Sequence, residues 1–181
     1  GLYSTEFLFI NRPAELRLTL PDEEEQFRAY RDLVLGMTGR TVTIRTLDIG
    51  ADKADATGLA LTDEPNPALG LRGVRLSLAR RDLFRAQLRA IVRASAYGPV
   101  RVLVPMVSGR EELREVKTLL ERVRGELRAE GCAVAEDLPL GAMIEVPSAA
   151  IMLQSFIDDI DFISIGTNDL VQYLLAADRT N

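Results

Sequence analysis

Four short runs of apolar and β-branched residues, at 41–47, 100–106, 140–146 and 160–166, are separated by segments of helical period. A weaker run covers 1–9. Most of these runs are apolar on both faces, as expected of parallel strands buried between layers. The segments between them read as helices. After Pro21, the acidic turn Asp22-Glu23-Glu24-Glu25 suits the positive end of a helix dipole, and Phe27, Tyr30, Val34 and Met37 continue one face. The stretch 77–97 places Leu78, Leu83, Leu88, Ile91 and Val92 among arginines. In the next, Ser108 and Glu111 form a capping box ahead of Leu113, Val116, Leu120, Val123 and Leu127, with Gly131 at the end. Shorter helices are expected from Pro147-Ser148 and near Asp169.

Such alternation implies an α/β protein with parallel strands and crossover helices. An open doubly wound sheet and a closed barrel both satisfy it. No glycine-rich dinucleotide fingerprint follows any strand, which weakens the first. Polar residues gather at the carboxyl ends of the strands: Thr5-Glu6, Arg45 with Asp48, Glu145, and Asn168-Asp169. A (β/α)8 TIM-type barrel brings those ends into one mouth, where such enzymes place their chemistry. The barrel is therefore the expected fold, incomplete over residues 1–181. The loop 50–70 has no clear period and is long for a passive connection, which fits a segment that covers a site.

With 181 residues and a net charge of −5, the chain has the size of one domain and lacks the basic surplus of a nucleic-acid binder. No apolar run is long enough to suggest a membrane span. The single cysteine, Cys132, forbids an intrachain disulfide and fits a reducing cytoplasm. It sits at a predicted helix end and reads as an ordinary thiol. The chain opens on Gly1 without a basic and then apolar leader and closes on Arg179-Thr180-Asn181, so it reads as a piece of something longer. Without histidine, a mechanism through a histidine nucleophile must borrow one.

Two carboxylates stand out. Glu145 ends an apolar strand in Met143-Ile144-Glu145-Val146-Pro147, and Asp169 follows the next in Ser164-Ile165-Gly166-Thr167-Asn168-Asp169. Neighbouring parallel strands lie about 4.8 Å apart, so both can flank one ion. Few hard oxygen ligands suit Mg²⁺, which takes its remaining ligands from water and substrate phosphate. Equally, Glu145 can pair with a buried arginine and Asp169 can cap a helix. Arg45 interrupts an apolar run, where an unpaired guanidinium costs several kcal/mol and must be paired or used. Arg72, Arg75 and Arg179 offer planar forks that grip carboxylate or phosphate, although Arg75 fits a structural role better. Lys53 can add charge from the loop or be solvated.

These motifs, taken in order, carry a resemblance. Gly1-Leu2-Tyr3-Ser4-Thr5-Glu6-Phe7-Leu8-Phe9 resembles the Gly-Leu-x-Arg-Thr-Glu-Phe-Leu-Phe segment of the phosphoenolpyruvate-utilising family. Arg45-Thr46-Leu47-Asp48-Ile49-Gly50-Ala51-Asp52-Lys53 is similar to its Arg-Thr-x-Asp-x-Gly-x-Asp-Lys segment, and Asn66-Pro67-Ala68-Leu69-Gly70-Leu71-Arg72 to its Asn-Pro-x-Leu-Gly-x-Arg loop. Glu145-Val146-Pro147-Ser148-Ala149 and Ser164-Ile165-Gly166-Thr167-Asn168-Asp169-Leu170, with Asp178-Arg179 behind, complete the set. Within the family the chain looks more like the Enzyme I group of bacterial sugar phosphotransferase systems than like pyruvate phosphate dikinase or phosphoenolpyruvate synthase.

The resemblance implies strands two to six of the family's C-terminal barrel, a phosphoenolpyruvate-binding domain that forms homodimers. It implies Mg²⁺ held by Glu145 and Asp169, and substrate bound by Arg45, Arg72, Asn168 and Arg179 with help from Lys53. In that group the phosphoryl group passes to a histidine on a separate amino-terminal domain and then to HPr, for sugar uptake. The chain departs from the pattern at Ser4, where the family has a substrate-gripping arginine; a charge-assisted contact of that kind is worth about 1.5–3 kcal/mol. The family's proton-donating cysteine belongs to a strand beyond this chain, and Cys132 does not correspond to it. The fragment alone is therefore expected to be inactive. A dikinase or synthase fragment, or a non-catalytic remnant, remains the alternative.

Overall fold

A computed structural model describes residues 1–10, 19–50 and 64–178. Five strands, β1 (Leu2–Ser4), β2 (Val42–Arg45), β3 (Val100–Val104), β4 (Leu140–Ile144) and β5 (Phe162–Ile165), form one parallel sheet in the order β1-β2-β3-β4-β5. The order follows the chain without reversal, whereas a doubly wound sheet changes direction at a switch point. Seven α-helices stand among the described residues: α1 (Glu6–Ile10), α2 (Glu23–Gly36), α3 (Gly73–Ala79), α4 (Arg81–Ala94), α5 (Arg110–Ala129), α6 (Pro147–Met152) and α7 (Thr167–Leu175).

Strand alternation gives the sheet two different faces. Val42, Ile44, Val100, Val102, Val104, Leu140, Ala142 and Ile144 point one way, into the main core with Phe27, Tyr30 and Val34 of α2, Phe84, Leu88 and Ile91 of α4, and Leu113, Val116, Leu120, Val123 and Leu127 of α5. The expected helical stripe of α5 is buried in full. The opposite face is mixed. There Arg101 donates to the Thr43 hydroxyl at 2.7 Å and lies over the Phe162 ring, which in turn fills the space a side chain at position 141 would need. Gly141 is thus required by packing.

Polar clasps tie the helices to each other. Asp22 caps α2 by accepting the Glu25 N–H at 2.8 Å, as its acidic start suggested. Arg89 of α4 donates to Glu23 of α2 and Glu130 beyond α5, and Arg93 to Glu23 and Glu24. Buried Gln87 of α4 receives the Leu47 N–H at 3.0 Å and donates to the Thr5 hydroxyl at 3.2 Å. That contact fixes the carboxyl ends of β1 and β2 against one helix.

Several boundaries differ from expectation. The run 1–9 is strand only to Ser4; Glu6–Ile10 is helical, and Phe9 turns into a second small core with Leu47, Ile49, Leu76 and Leu83. The single helix expected over 77–97 is α3 and α4, broken at Arg80 (φ −109°, ψ 67°), followed by a 3-10 turn at Ser95–Tyr97. At α5 the capping partner of Ser108 is Glu112, which accepts the Ser108 N–H at 2.6 Å and hydroxyl at 3.0 Å; Glu111 does not serve. Gly109 occupies the N-cap, so the box is shifted by one residue. Strand β5 is not buried on both faces: Ile163 and Ile165 are 40% and 63% exposed.

Candidate functional site

Because all five strands run the same way, their carboxyl ends share one edge of the sheet, and the polar residues expected there meet. Arg72 lies between the 3-10 turn Pro67–Leu69 and α3. Its guanidinium donates to both carboxylate oxygens of Asp48, beyond β2, at 3.0 and 2.8 Å. A third contact, at 3.4 Å, goes to Asp169 in the first turn of α7. One arginine thus bridges acids from the second and fifth strand ends. Burial alone lowers its pKa, but the hydrogen bonds and charge of Asp48, then Asp169, outweigh that and leave it raised.

Glu145, one residue beyond β4, is 1% exposed and accepts the Met106 N–H at 2.7 Å. Burial pushes its carboxyl up from the ordinary 4.5 to about 7; the Met106 N–H opposes this, and the charges of Asp48 and Asp169 add to it. Met106 holds an unusual left-handed backbone (φ 57°) that aims its N–H at the carboxylate. Two glycines make room. A side chain at Gly166 would collide with Glu145, and one at Gly73, itself at φ 57°, would collide with Met106. Val74 N–H also donates to the Pro105 carbonyl at 3.2 Å. The segment that carries Arg72 is therefore docked on the turn that holds Glu145.

Arg45, at the end of β2, is paired with Glu6 of α1 and approaches the Met143 sulfur at 3.8 Å. Glu6 Oε2 and Arg45 Nε are buried without a hydrogen-bond partner. Ser4 stands beside Arg45 in the strand register. Asn168 is exposed at the start of α7.

The structure brings Arg72, Glu145 and Asp169 together at one edge of the sheet, with Arg45 at the end of β2. Lys53 and Arg179 lie outside the described residues. Arg75 is half-buried on α3. Sequence reasoning placed Asp48 at a strand end but gave it no role, and it is the principal partner of Arg72. It passed over Met106, whose contribution is a backbone N–H, and Tyr173. Tyr173 follows Asp169 by one helical turn on α7, and that spacing was the available signal.

A metal fits this donor set by its chemistry. Glu145 and Asp169 are hard carboxylates, and burial, with the nearby charges of Asp48 and Asp169, raises the Glu145 carboxyl to about 7. Among the described residues no group of three or more His, Cys, Asp or Glu is arranged as a metal cluster. Two carboxylates of this kind are the sort of ligand Mg²⁺ takes alongside water and substrate oxygens.

Acids and arginines converge at the carboxyl edge of a parallel sheet, a site of the class found in α/β domains that take anionic ligands. Comparison with known proteins makes this specific: the chain belongs to the family described as PEP-utilising enzyme, PEP-binding domain, which matches residues 1–181. It is 48% identical over 181 residues to the phosphoenolpyruvate-protein phosphotransferases of Listeria monocytogenes and Priestia megaterium. To that of Staphylococcus aureus it is 48% identical over 179 residues, 99% of this chain. The chain spans 31% of the length of the Listeria relative and 30% of the other two.

Proposed function

We propose that this chain is the phosphoenolpyruvate-binding part of a phosphoenolpyruvate-protein phosphotransferase of a sugar-uptake system. The observation that carries the reading is the bridge from Arg72 to Asp48 and Asp169 beside buried Glu145. The sheet supplies strands two to six of a (β/α)8 barrel; its unreversed order and the gathering of polar groups at one edge support that closure.

Arg72 and Arg45 bind the substrate's phosphate and carboxylate, joined by Asn168, Arg179 and Lys53. Arg72 exchanges carboxylate oxygens for phosphate oxygens of the same geometry, so its fork needs little rearrangement. Glu145 and Asp169 hold Mg²⁺, which supplies neutralisation of the phosphate charge. Met106 N–H and the close backbone at Gly166 fix the orientation of Glu145. The phosphorus–oxygen bond to the enol oxygen breaks as a phosphorus–nitrogen bond forms on a histidine, and the enolate takes a proton to become pyruvate. Such transfer depends on positioning and charge rather than covalent help from the site. The chain has no histidine, so the acceptor lies outside these residues. The family resemblance implies that it sits on a separate domain, which then passes the phosphoryl group to HPr. The relatives are phosphoenolpyruvate-protein phosphotransferases, which favours this reading over a dikinase or synthase. The family resemblance implies a cytoplasmic homodimer. No helix among the described residues is long and apolar enough to cross a membrane.

The test uses the full-length protein with HPr and radiolabelled phosphoenolpyruvate. Mg²⁺-dependent label on HPr, with pyruvate released, is the expected result. Pyruvate release that requires a nucleotide in place of HPr would overturn the assignment.

A further inference from the structure

The helix that presents Asp169 also touches the loop that presents Arg72. Tyr173, one turn along α7, donates its hydroxyl to the Ala68 carbonyl, 105 residues away in sequence. Ala68 lies in the 3-10 turn Pro67–Leu69, shortly before Arg72. The contact bridges a cleft of about 510 Å³ whose walls include Pro67, Ala68, Gln172 and Tyr173. A ring of interactions is thereby closed: Tyr173 to Ala68, along the chain to Arg72, across to Asp169, and back along α7. On the far side of the loop, the Leu71 N–H donates to both carboxylate oxygens of Glu64 at 3.0 Å. That carboxylate occupies the space a side chain at Gly70 would need.

We infer that Tyr173 is a positioning residue, which aims Arg72 at the substrate by pinning the loop 66–70 to α7. A guanidinium at the end of a loop loses binding strength when the loop samples other conformations, because ordering it then costs binding energy. A phenol fixed on a stiff helix removes that freedom at the turn leading into Arg72. A phenol is protonated at neutral pH, and burial raises the Tyr173 pKa further from its ordinary value of 10.0, so the hydroxyl remains a donor. The role rests on the phosphoenolpyruvate reading of the site.

The experiment is a double-mutant cycle in the full-length protein, with KM for phosphoenolpyruvate, kcat and amide hydrogen exchange as readouts. Tyr173→Phe keeps the ring and removes the hydroxyl. It is expected to raise KM by about five-fold, with kcat less affected, and to speed exchange across 66–71. Because Tyr173 acts through Arg72, adding Tyr173→Phe to Arg72→Lys should weaken the protein by less than about two-fold further. An unchanged KM, or full multiplication of the two losses, would overturn the role. If the wild-type protein neither binds nor consumes phosphoenolpyruvate, the site reading fails. In that case the pinning stands or falls on the exchange measurement alone, and unchanged exchange across the loop overturns it.

Discussion

Glu145 accepts the backbone N–H of Met106 at 2.7 Å, and both residues are all but closed to solvent. The bond is insufficient to keep the carboxyl ionised, since burial lifts it to about 7. An unfolded chain releases this proton near 4.5 while the metal-free folded chain keeps it until about 7. Between those values the folded state binds more protons, so this group's contribution makes stability fall as pH rises, then level off above 7. The loss is on the order of 3 kcal/mol. Urea unfolding with chelator from acid to neutral pH should show that component in the wild type and not in Glu145→Gln. Identical pH slopes would contradict it.

Mg²⁺ binding demands the ionised carboxylate, and Gly166 makes room for it. Gly166 has an ordinary backbone (φ −92°), so Gly166→Ala is expected to displace Glu145 with modest loss of stability. The Mg²⁺ concentration for half-maximal phosphoenolpyruvate binding should rise about ten-fold. Gly73→Ala should differ: its left-handed backbone and the approach of Met106 predict a stability loss of about 2 kcal/mol or more, read from urea midpoints.

Arg72 grips Asp48 with two parallel bonds, a geometry that lysine cannot reproduce. Arg72→Lys keeps the charge and loses the fork. Its expected cost is about 1.5–3 kcal/mol of substrate binding, seen as a KM raised roughly ten- to a hundred-fold. A KM within about two-fold of wild type, a difference of about 0.4 kcal/mol, would remove Arg72 from the substrate grip.

Ser4 sits directly across from Arg45 in the β1–β2 register. An arginine there would share the neighbourhood of Arg45 and Glu6, whose Oε2 is buried without a partner. Ser4→Arg is therefore expected to tighten phosphoenolpyruvate binding by about ten-fold in calorimetry. Weaker binding would show that position 4 does not belong to the substrate-binding face.

β2, β3 and β4 are legible as apolar runs because burial between layers leaves that mark on the residues themselves, whereas β1 and β5 carry apolar residues, Leu2, Ile163 and Ile165, that are exposed. The strands end short of these runs because the chain turns soon after them: Met106 beyond β3 is left-handed, and helices begin at Glu6, Pro147 and Thr167. The helix at Glu6–Ile10 escaped because Phe7, Leu8 and Phe9 suit a strand equally well, and only the second core around Phe9 decides the matter. Nothing in Ala79-Arg80-Arg81 announces a break, so α3 and α4 read as one helix. In the site, Arg72, Glu145 and Asp169 were visible as charges at the ends of apolar runs or in a loop motif. The pairing of Arg72 with Asp48 was not, because partners distant in sequence carry no local signature. Met106 contributes only backbone, and Tyr173 finds its acceptor 105 residues away, so neither side chain type pointed to a role.

Calorimetric titration of phosphoenolpyruvate into the full-length protein, with and without Mg²⁺, tests the central claim most directly. Saturable binding that strengthens with Mg²⁺ in the wild type, and loses its Mg²⁺ dependence in Glu145→Ala, is the predicted result. Binding that is absent from the wild type, or equally Mg²⁺-dependent in the variant, would contradict the account.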